Sequence, residues 1–195
     1  MNDFWFYTDY GIWHVLDING YDHVLFLVAL TVPYLFKDWK RVLLLISTFT
    51  LGHTLSLLLA AYNFIRIEAS WVEFFIPITI IIVALYNLIK ASEKDFKITV
   101  LFMSTLFFGL IHGLGFAREF TMLVGKAKDK LLPLLEFALG IEIAQVIVVI
   151  GALCIAYLFQ KIFNLPKRYW ELIISSIIIV LTIPMILGSE LLDIL

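Results

Sequence analysis

Six apolar stretches, each long enough to cross a lipid bilayer, divide the 195-residue chain. A spanning helix needs about 20 apolar residues because the hydrocarbon core of a bilayer is about 30 Å thick. Hydrophobic residues make up 62% of the chain, whereas soluble domains contain about 45–50%. The sequence therefore predicts an all-α integral membrane protein, a bundle of about six transmembrane helices forming one transmembrane domain over residues 1–195. The predicted spans are roughly residues 16–36, 42–62, 71–90, 98–118, 131–160 and 170–192.

The segment before the first span is rich in aromatic side chains and contains no Lys or Arg. This composition predicts an interfacial aromatic N-terminus rather than a cleaved signal peptide. The loops on the side of the membrane opposite the N-terminus hold nine Lys and Arg residues, and those on the N-terminal side hold five. We expect a bacterial inner-membrane protein, and by the positive-inside rule both of its termini should lie outside the cytoplasm.

Charge and cysteine content argue against several other classes of protein. The formal net charge is −2 and there is no basic arm, which argues against a nucleic-acid partner. Cys154 is the only cysteine, so an internal disulfide is excluded. The sequence has no ATP-binding P-loop, and an ATP-driven pump would therefore need a partner subunit.

Ionisable side chains inside the apolar stretches are the informative positions, because each costs about 2.5–3.5 kcal/mol at the centre of a spanning helix. Given the alternating direction of the spans, these side chains fall in the same half of the membrane. A single intramembrane histidine is most often a helix–helix hydrogen bond, but several carboxylates at one depth need a cation or protons to neutralise them. We therefore predict one shared site. Its members are Asp22, His23, His53, Glu73, His112 and Glu142.

Imidazole and carboxylate ligands without a thiolate suit a divalent transition metal such as nickel, zinc, cobalt or iron. We predict that the metal ligands are Asp22, His23, His53, His112 and Glu142. The predicted residues at the entrance to the site, or behind its ligands, are His14, Glu73, Asn87 and Gln145. Three glycines that flank His112 in the fourth span are expected to let neighbouring helices approach closely.

Several short polar motifs, in a fixed order, give the chain a resemblance to the HupE/UreJ family of membrane proteins. The resemblance covers roughly residues 11–150 and implies a helical membrane fold. Family members are regarded as nickel permeases, which implies a transporter of nickel or a related divalent metal. The motifs are GIWHVLDINGYDHVLFL at 11–27, FTLGHTLSLLLA at 49–60, WVEFFIPITIIIVALYN at 71–87, FGLIHGLGFA at 108–117 and FALGIEIAQ at 137–145.

Two active functions fit these observations. The first is a divalent metal-ion transporter whose intramembrane site captures the ion in the extracytoplasmic half, and the family resemblance favours it. The alternative is a metal-dependent intramembrane hydrolase or acyl-transfer enzyme acting on a lipid or lipid-linked substrate, with Glu142 or Glu73 as general base. The one-sided polar distribution favours the enzyme. A binding, sensing or assembly protein with a structural metal site is a third reading. The expected partners are the lipid bilayer and a metal ion, and a homo-oligomer or a partner membrane protein stays open.

Overall fold

The computed structural model describes residues 3–91, 98–125 and 129–189, and the secondary structure in these ranges is entirely helical. A 3₁₀ turn, Phe36–Asp38, precedes the third helix, and a π-helical turn, Leu158–Ile162, extends the sixth. Five helices, α3 to α7, are long and apolar enough to cross a membrane, which fits an integral membrane protein. The helices described are α1 (Asp3–Leu16), α2 (Asp22–Thr31), α3 (Trp39–Ala61), α4 (Ala69–Lys90), α5 (Ile98–Val124), α6 (Leu131–Tyr157) and α7 (Lys167–Leu187).

The first predicted span, residues 16–36, is not one continuous helix. α1 ends at Leu16, and α2 begins at Asp22 and has 10 residues, which is a length of about 15 Å. The break has a local cause in the segment Asp-Ile-Asn-Gly. The Asn19 backbone N–H donates to the Asp17 side chain at 2.9 Å, and this Asx-type turn competes with the helix. The structure therefore does not confirm the predicted count of six spans.

The other predicted spans correspond to α3 through α7, with ends that differ by up to about six residues, as is usual for boundaries read from a sequence. The largest difference within the described ranges is in α5, which continues to Val124 instead of ending at 118. The predicted end of the last span, residue 192, lies outside the described residues. The extension of α5 matters because it adds about one and a half helical turns after residue 118, and these contain Glu119.

The aromatic N-terminal segment forms α1, which packs against α6. A Cβ atom on Gly11 would collide with the Phe137 carbonyl, and one on Gly140 would collide with the Thr8 carbonyl. Since Thr8 lies beside Gly140 and Gly11 lies beside Phe137, the two helices run in opposite directions. The structure thus does not confirm an interfacial N-terminus, because α1 is a packed helix of the bundle.

Helices α3 and α5 make the closest parallel pair in the described bundle. A Cβ atom on Gly109 would collide with the Phe49 carbonyl, and one on Gly113 would collide with the His53 carbonyl. Glycine at both positions lets the two backbones touch, as is common where membrane helices cross. This contact brings the backbone of His53 directly beside Gly113, the residue that follows His112.

Substituting Gly109 by alanine is expected to lower the thermal stability of the purified protein, because the added methyl group must push α3 and α5 apart. Overpacking of this kind costs about 1–3 kcal/mol. The matched control is Gly151→Ala in α6, where an added Cβ would have no neighbour within 4 Å in the described structure. Thermal unfolding in detergent measures both variants. Equal melting temperatures for the two would contradict the close α3–α5 contact.

Candidate metal site

All four histidines of the chain come together near one end of the bundle. His14 lies in the last turn of α1, His23 follows the first residue of α2, and His53 and His112 lie in α3 and α5. One ligand atom from each of His14, His23 and His53 lies within 4.8 Å of the other two. The ring centroid of His112 lies 5.2 Å from that of His23. We call His14, His23, His53 and His112 the histidine cluster.

The Nε2 atoms of the histidine cluster lack the hydrogen bonds that buried polar atoms normally make. The side chains of His23, His53 and His112 are buried, with 5%, 0% and 1% exposure. The Nε2 atoms of all four imidazoles are buried and have no hydrogen-bond partner in the described part of the chain. A buried unsatisfied polar group costs about 1–3 kcal/mol, and most such groups in folded proteins are paired. Four neighbouring unpaired nitrogens could bind an electron-pair acceptor such as a metal ion.

Two of these imidazoles are held in a definite orientation through their other ring nitrogen. His23 Nδ1 lies 3.1 Å from Asp22 Oδ1, and His112 Nδ1 lies 3.0 Å from the Phe108 carbonyl oxygen. An Nδ1–H that donates to such an oxygen leaves the Nε2 lone pair free for a metal. Asp22 Oδ1 also accepts the backbone N–H of His23 at 2.8 Å, so the carboxylate is fixed as well. The Asp22 carboxylate can thus orient the imidazole of His23, and its oxygen atoms are themselves possible metal ligands.

Phenylalanine rings form the wall of the histidine cluster. The His14 ring lies 4.0 Å from the Phe116 ring and 5.5 Å from the Phe137 ring. The His112 ring lies 5.1 Å from Phe49. These phenylalanines are buried, so the imidazoles meet apolar rings on this side of the cluster.

A cavity of about 410 Å³ adjoins the histidine cluster and carries acidic side chains. Its lining includes His14, His23 and His112. Three exposed carboxylates also line it, and we call them the acidic vestibule: Asp17, Glu73 and Glu119. Such a concentration of negative charge at an opening raises the local concentration of cations. The cavity therefore places these three carboxylates beside three of the imidazoles.

Sequence reasoning did not single out two of the vestibule residues. Glu119 follows His112 by seven residues, which is two helical turns along the same face of α5, but the predicted span ended at 118. Asp17 lies in the turn that breaks the first predicted span. The sequence carried a signal for both residues. A spacing of seven residues on a helix places Glu119 on the same face as His112, and the Asn-Gly pair that follows Asp17 is typical of a turn.

The structure also brings His14 together with His23 and His53, although the sequence predicted His14 at the entrance or behind the ligands, because nine residues on an ideal helix would put it half a turn out of phase with His23. The reason is that residues 17–20 are not helical, so an ideal-helix angle between the two does not apply. Glu73, predicted at the entrance or behind the ligands, is exposed on the acidic vestibule.

Three of the predicted site residues lie away from the histidine cluster. Glu142 accepts hydrogen bonds from Ser47 and Thr50, and it belongs to no group of three ligand atoms within 4.8 Å in the described ranges. Gln145 is fully buried, with Oε1 at 2.9 Å from Thr50 Oγ1. Asn87 is buried, and its Nδ2 donates to the Ala29 carbonyl at 2.7 Å. Asn87 therefore satisfies a backbone carbonyl in the last turns of α2.

Apolar helices long enough to cross a bilayer surround a cluster of histidines that could bind a metal ion, as in an integral membrane protein with a candidate metal site. A family model described as HupE / UreJ protein matches residues 1–188, and the chain belongs to this family. The HupE/UreJ family is associated in general with the transport of nickel and other metals. The comparisons with curated proteins and with solved structures gave no match.

Proposed function

We propose that the protein transports a divalent transition-metal cation, nickel or a similar ion, and that the histidine cluster binds the ion within the membrane. The observation that carries this proposal is the set of four buried Nε2 atoms without a hydrogen-bond partner among the described residues. Neutral imidazoles suit nickel, cobalt, zinc and iron better than magnesium or calcium, which prefer oxygen ligands. The cluster thus selects for transition metals through its ligand type.

Each member of the cluster has a part in holding the ion. His14, His23 and His53 would supply three nitrogen ligands, since their atoms already converge. His112, whose ring lies beside that of His23, would supply a fourth or take over as the ion moves. Asp22 would orient His23 and compensate part of the positive charge, because burying an unpaired charge is unfavourable.

The acidic vestibule would collect the cation before it reaches the imidazoles. The distribution of Lys and Arg predicts that this end of the bundle faces away from the cytoplasm. Capture would therefore take place from the extracytoplasmic side, at the surface formed by Asp17, Glu73 and Glu119.

Neutralising two vestibule carboxylates with Glu73→Gln and Glu119→Gln is expected to slow metal capture about tenfold at low ionic strength, because electrostatic steering is lost. The difference should shrink in high salt, since screening weakens the field in the wild type as well. A control with the same change in charge is Asp9→Asn with Glu68→Gln, two exposed carboxylates that do not line the cavity. Initial rates of uptake at subsaturating metal measure the effect. Equal rates for the two double variants would contradict this role.

The transport proposal itself is tested with purified protein in liposomes that contain a metal-sensitive dye. Nickel, cobalt, zinc, iron(II) and magnesium are added outside in separate experiments. We expect the wild type to accelerate the influx of at least one transition metal, and not of magnesium. His23→Ala should reduce influx to that of empty liposomes. Wild-type influx no faster than in empty liposomes, or unchanged influx in His23→Ala, would overturn the proposal.

One observation favours the second candidate function, a metal-dependent intramembrane hydrolase or acyl-transfer enzyme. The cavity of about 410 Å³ is much larger than an ion, and the Glu73 carboxylate lines it together with three histidines. Glu73 could then act as general base toward a metal-bound water. Glu73→Gln separates the two functions. An enzyme would lose turnover while keeping its metal, whereas a transporter keeps its maximal rate when the metal is saturating.

A further inference from the structure

The connection between α3 and α4 joins two spanning helices at the end of the bundle. It runs over residues 62–68, from the end of α3 at Ala61 to the start of α4 at Ala69. Exposed aromatic side chains flank it, Tyr62 on one side and Trp71 on the other. Tyrosine and tryptophan are enriched at the boundary between lipid and water. We therefore expect this connection to lie at the depth of the phospholipid head groups.

A cavity of about 330 Å³ lies between this connection and the C-terminal half of α5. Two arginines line it, Arg66 from the connection and Arg118 from α5. None of the described residues that line it is acidic. We call this cavity the arginine pocket. Its larger apolar side chains are those of Ile65, Ile67, Leu114 and Met122.

The two positive charges of the arginine pocket have no carboxylate partner in the described part of the chain. Neither Arg66 nor Arg118 belongs to an ion pair there. Both residues are exposed, so a ligand can reach their guanidinium groups. Two like charges that line one cavity disfavour each other, and an anion bound between them would be attracted by both. The charge of the pocket therefore fits an anionic ligand.

A hydrogen bond holds Arg66 at the wall of the arginine pocket. Its Nη2 atom donates to Asn63 Oδ1 at 3.1 Å. Asn63 has a φ of 61°, a left-handed conformation that asparagine adopts more readily than most residues, and its backbone N–H donates to the Ala60 carbonyl at 2.9 Å. A guanidinium group has five N–H donors, so most of them remain for a ligand. This partial ordering lowers the entropic cost of binding.

We propose that the arginine pocket binds the head group of an anionic phospholipid. Guanidinium groups bind phosphate oxygens through paired, charge-assisted hydrogen bonds. The exposed side chains of Ile67 and Met122 would contact the acyl chains of the same lipid. Apolar surface beside the two charges, at the depth of the head groups, favours a lipid over a soluble anion. Two arginines favour a lipid with a net negative charge over a zwitterionic one.

A bound lipid would fasten the α3–α4 connection to α5, because one arginine comes from each. These helices carry two members of the histidine cluster, His53 in α3 and His112 in α5. The lipid would thus stabilise the helix pair that holds half of the cluster. The lipid site does not depend on the transport function, since no residue that lines the arginine pocket belongs to the histidine cluster or the acidic vestibule.

The source of the anion is tested by thermal unfolding of the metal-free protein in an uncharged detergent. Phosphatidylglycerol, phosphatidylcholine and inorganic phosphate are added separately at equal concentration. We expect phosphatidylglycerol to raise the melting temperature by binding the folded state, and the other two to have much smaller effects. Equal shifts from the two lipids would overturn the selection by charge. A shift from inorganic phosphate as large as that from phosphatidylglycerol would assign the pocket to a soluble anion and overturn the lipid site.

The residues are tested with Arg66→Gln combined with Arg118→Gln, which should weaken phosphatidylglycerol binding about tenfold or more because the charge-assisted hydrogen bonds to phosphate are lost. The matched control is Lys37→Gln with Arg168→Gln, two exposed cations that do not line the pocket, and it should bind the lipid as the wild type does. Native mass spectrometry at defined lipid concentrations measures the bound lipid.

A conservative double variant keeps the test valid if the glutamine variant does not fold. Arg66→Lys with Arg118→Lys retains both charges, but an ammonium group cannot form the paired hydrogen bonds of a guanidinium. Lipid binding should therefore still weaken, by less than in the glutamine variant. Wild-type lipid binding in the folded pocket variants would overturn the proposal and leave the transport function untouched.

Discussion

Replacing His53 by leucine is expected to lower the affinity for the transported cation by more than about 100-fold, since loss of an orienting group behind a ligand already costs about 10–100-fold. His53 is 0% exposed, and neither of its ring nitrogens has a hydrogen-bond partner in the described structure. Its imidazole therefore forms no hydrogen bond that would hold helices together in the described structure. Binding isotherms for nickel and cobalt on the purified protein measure the loss.

The stability of the same variant separates a metal ligand from a structural histidine. If His53 held two helices together by a hydrogen bond, leucine would lower the melting temperature of the metal-free protein. We expect the melting temperature to stay equal or to rise, because the substitution removes buried unsatisfied nitrogens that cost about 1–3 kcal/mol each. Added metal should raise the melting temperature of the wild type by binding the folded state, but not that of the variant. A destabilised variant that still responds to metal would contradict the assignment.

Asp22→Asn is expected to weaken metal binding by about 10–100-fold, the range found for groups that orient a metal-bound histidine. The Asp22 carboxylate accepts from His23 Nδ1 and supplies negative charge beside the cluster. Asparagine keeps an oxygen for the His23 backbone N–H, so the start of α2 should persist. Its amide has no charge and offers a donor where the imidazole also donates, which disturbs the orientation of the ring.

A matched control for this substitution lies elsewhere in the chain. Asp38 accepts the Leu35 backbone N–H at 3.2 Å, much as Asp22 accepts a backbone N–H at the start of α2, but no histidine contacts Asp38 in the described ranges. Asp38→Asn should leave metal affinity unchanged. Calorimetric titration compares the two variants at the same pH. Equal affinities in Asp22→Asn and the wild type would show that the Asp22–His23 contact does not orient a ligand.

The long helices were predictable from sequence because each carries a continuous apolar run, and lipid requires such runs to be helical. Histidines 23, 53 and 112 could be grouped in advance because they lie at one depth in alternating spans. The same reasoning failed for the first span, where apolar residues on both sides hide a turn at Asp17 and Asn19. A hydropathy average over about 20 residues does not detect such a turn. The turn depends on one hydrogen bond, which the Asn19 backbone N–H donates to the Asp17 side chain.

Depth alone could not fix which side chains meet, because it carries no information on the face of each helix. Glu142 was assigned to the histidines on depth, but the structure turns it toward Ser47 and Thr50. His14 was predicted at the entrance or behind the ligands, but it meets His23 and His53 because α1 packs antiparallel to α6. Both differences arise from the rotation of each helix about its own axis and from the antiparallel arrangement of α1 and α6. These are set by packing contacts such as those at Gly11 and Gly140.

The most direct measurement is anomalous diffraction from crystals of the nickel-loaded protein, recorded on both sides of the nickel absorption edge. The anomalous peak should lie among the Nε2 atoms of His14, His23 and His53. These buried nitrogens come from three separate segments of the chain and make no hydrogen bond in the described structure. A peak bound only by vestibule carboxylates, or no peak in protein soaked with excess nickel, would contradict a transition-metal site in the histidine cluster.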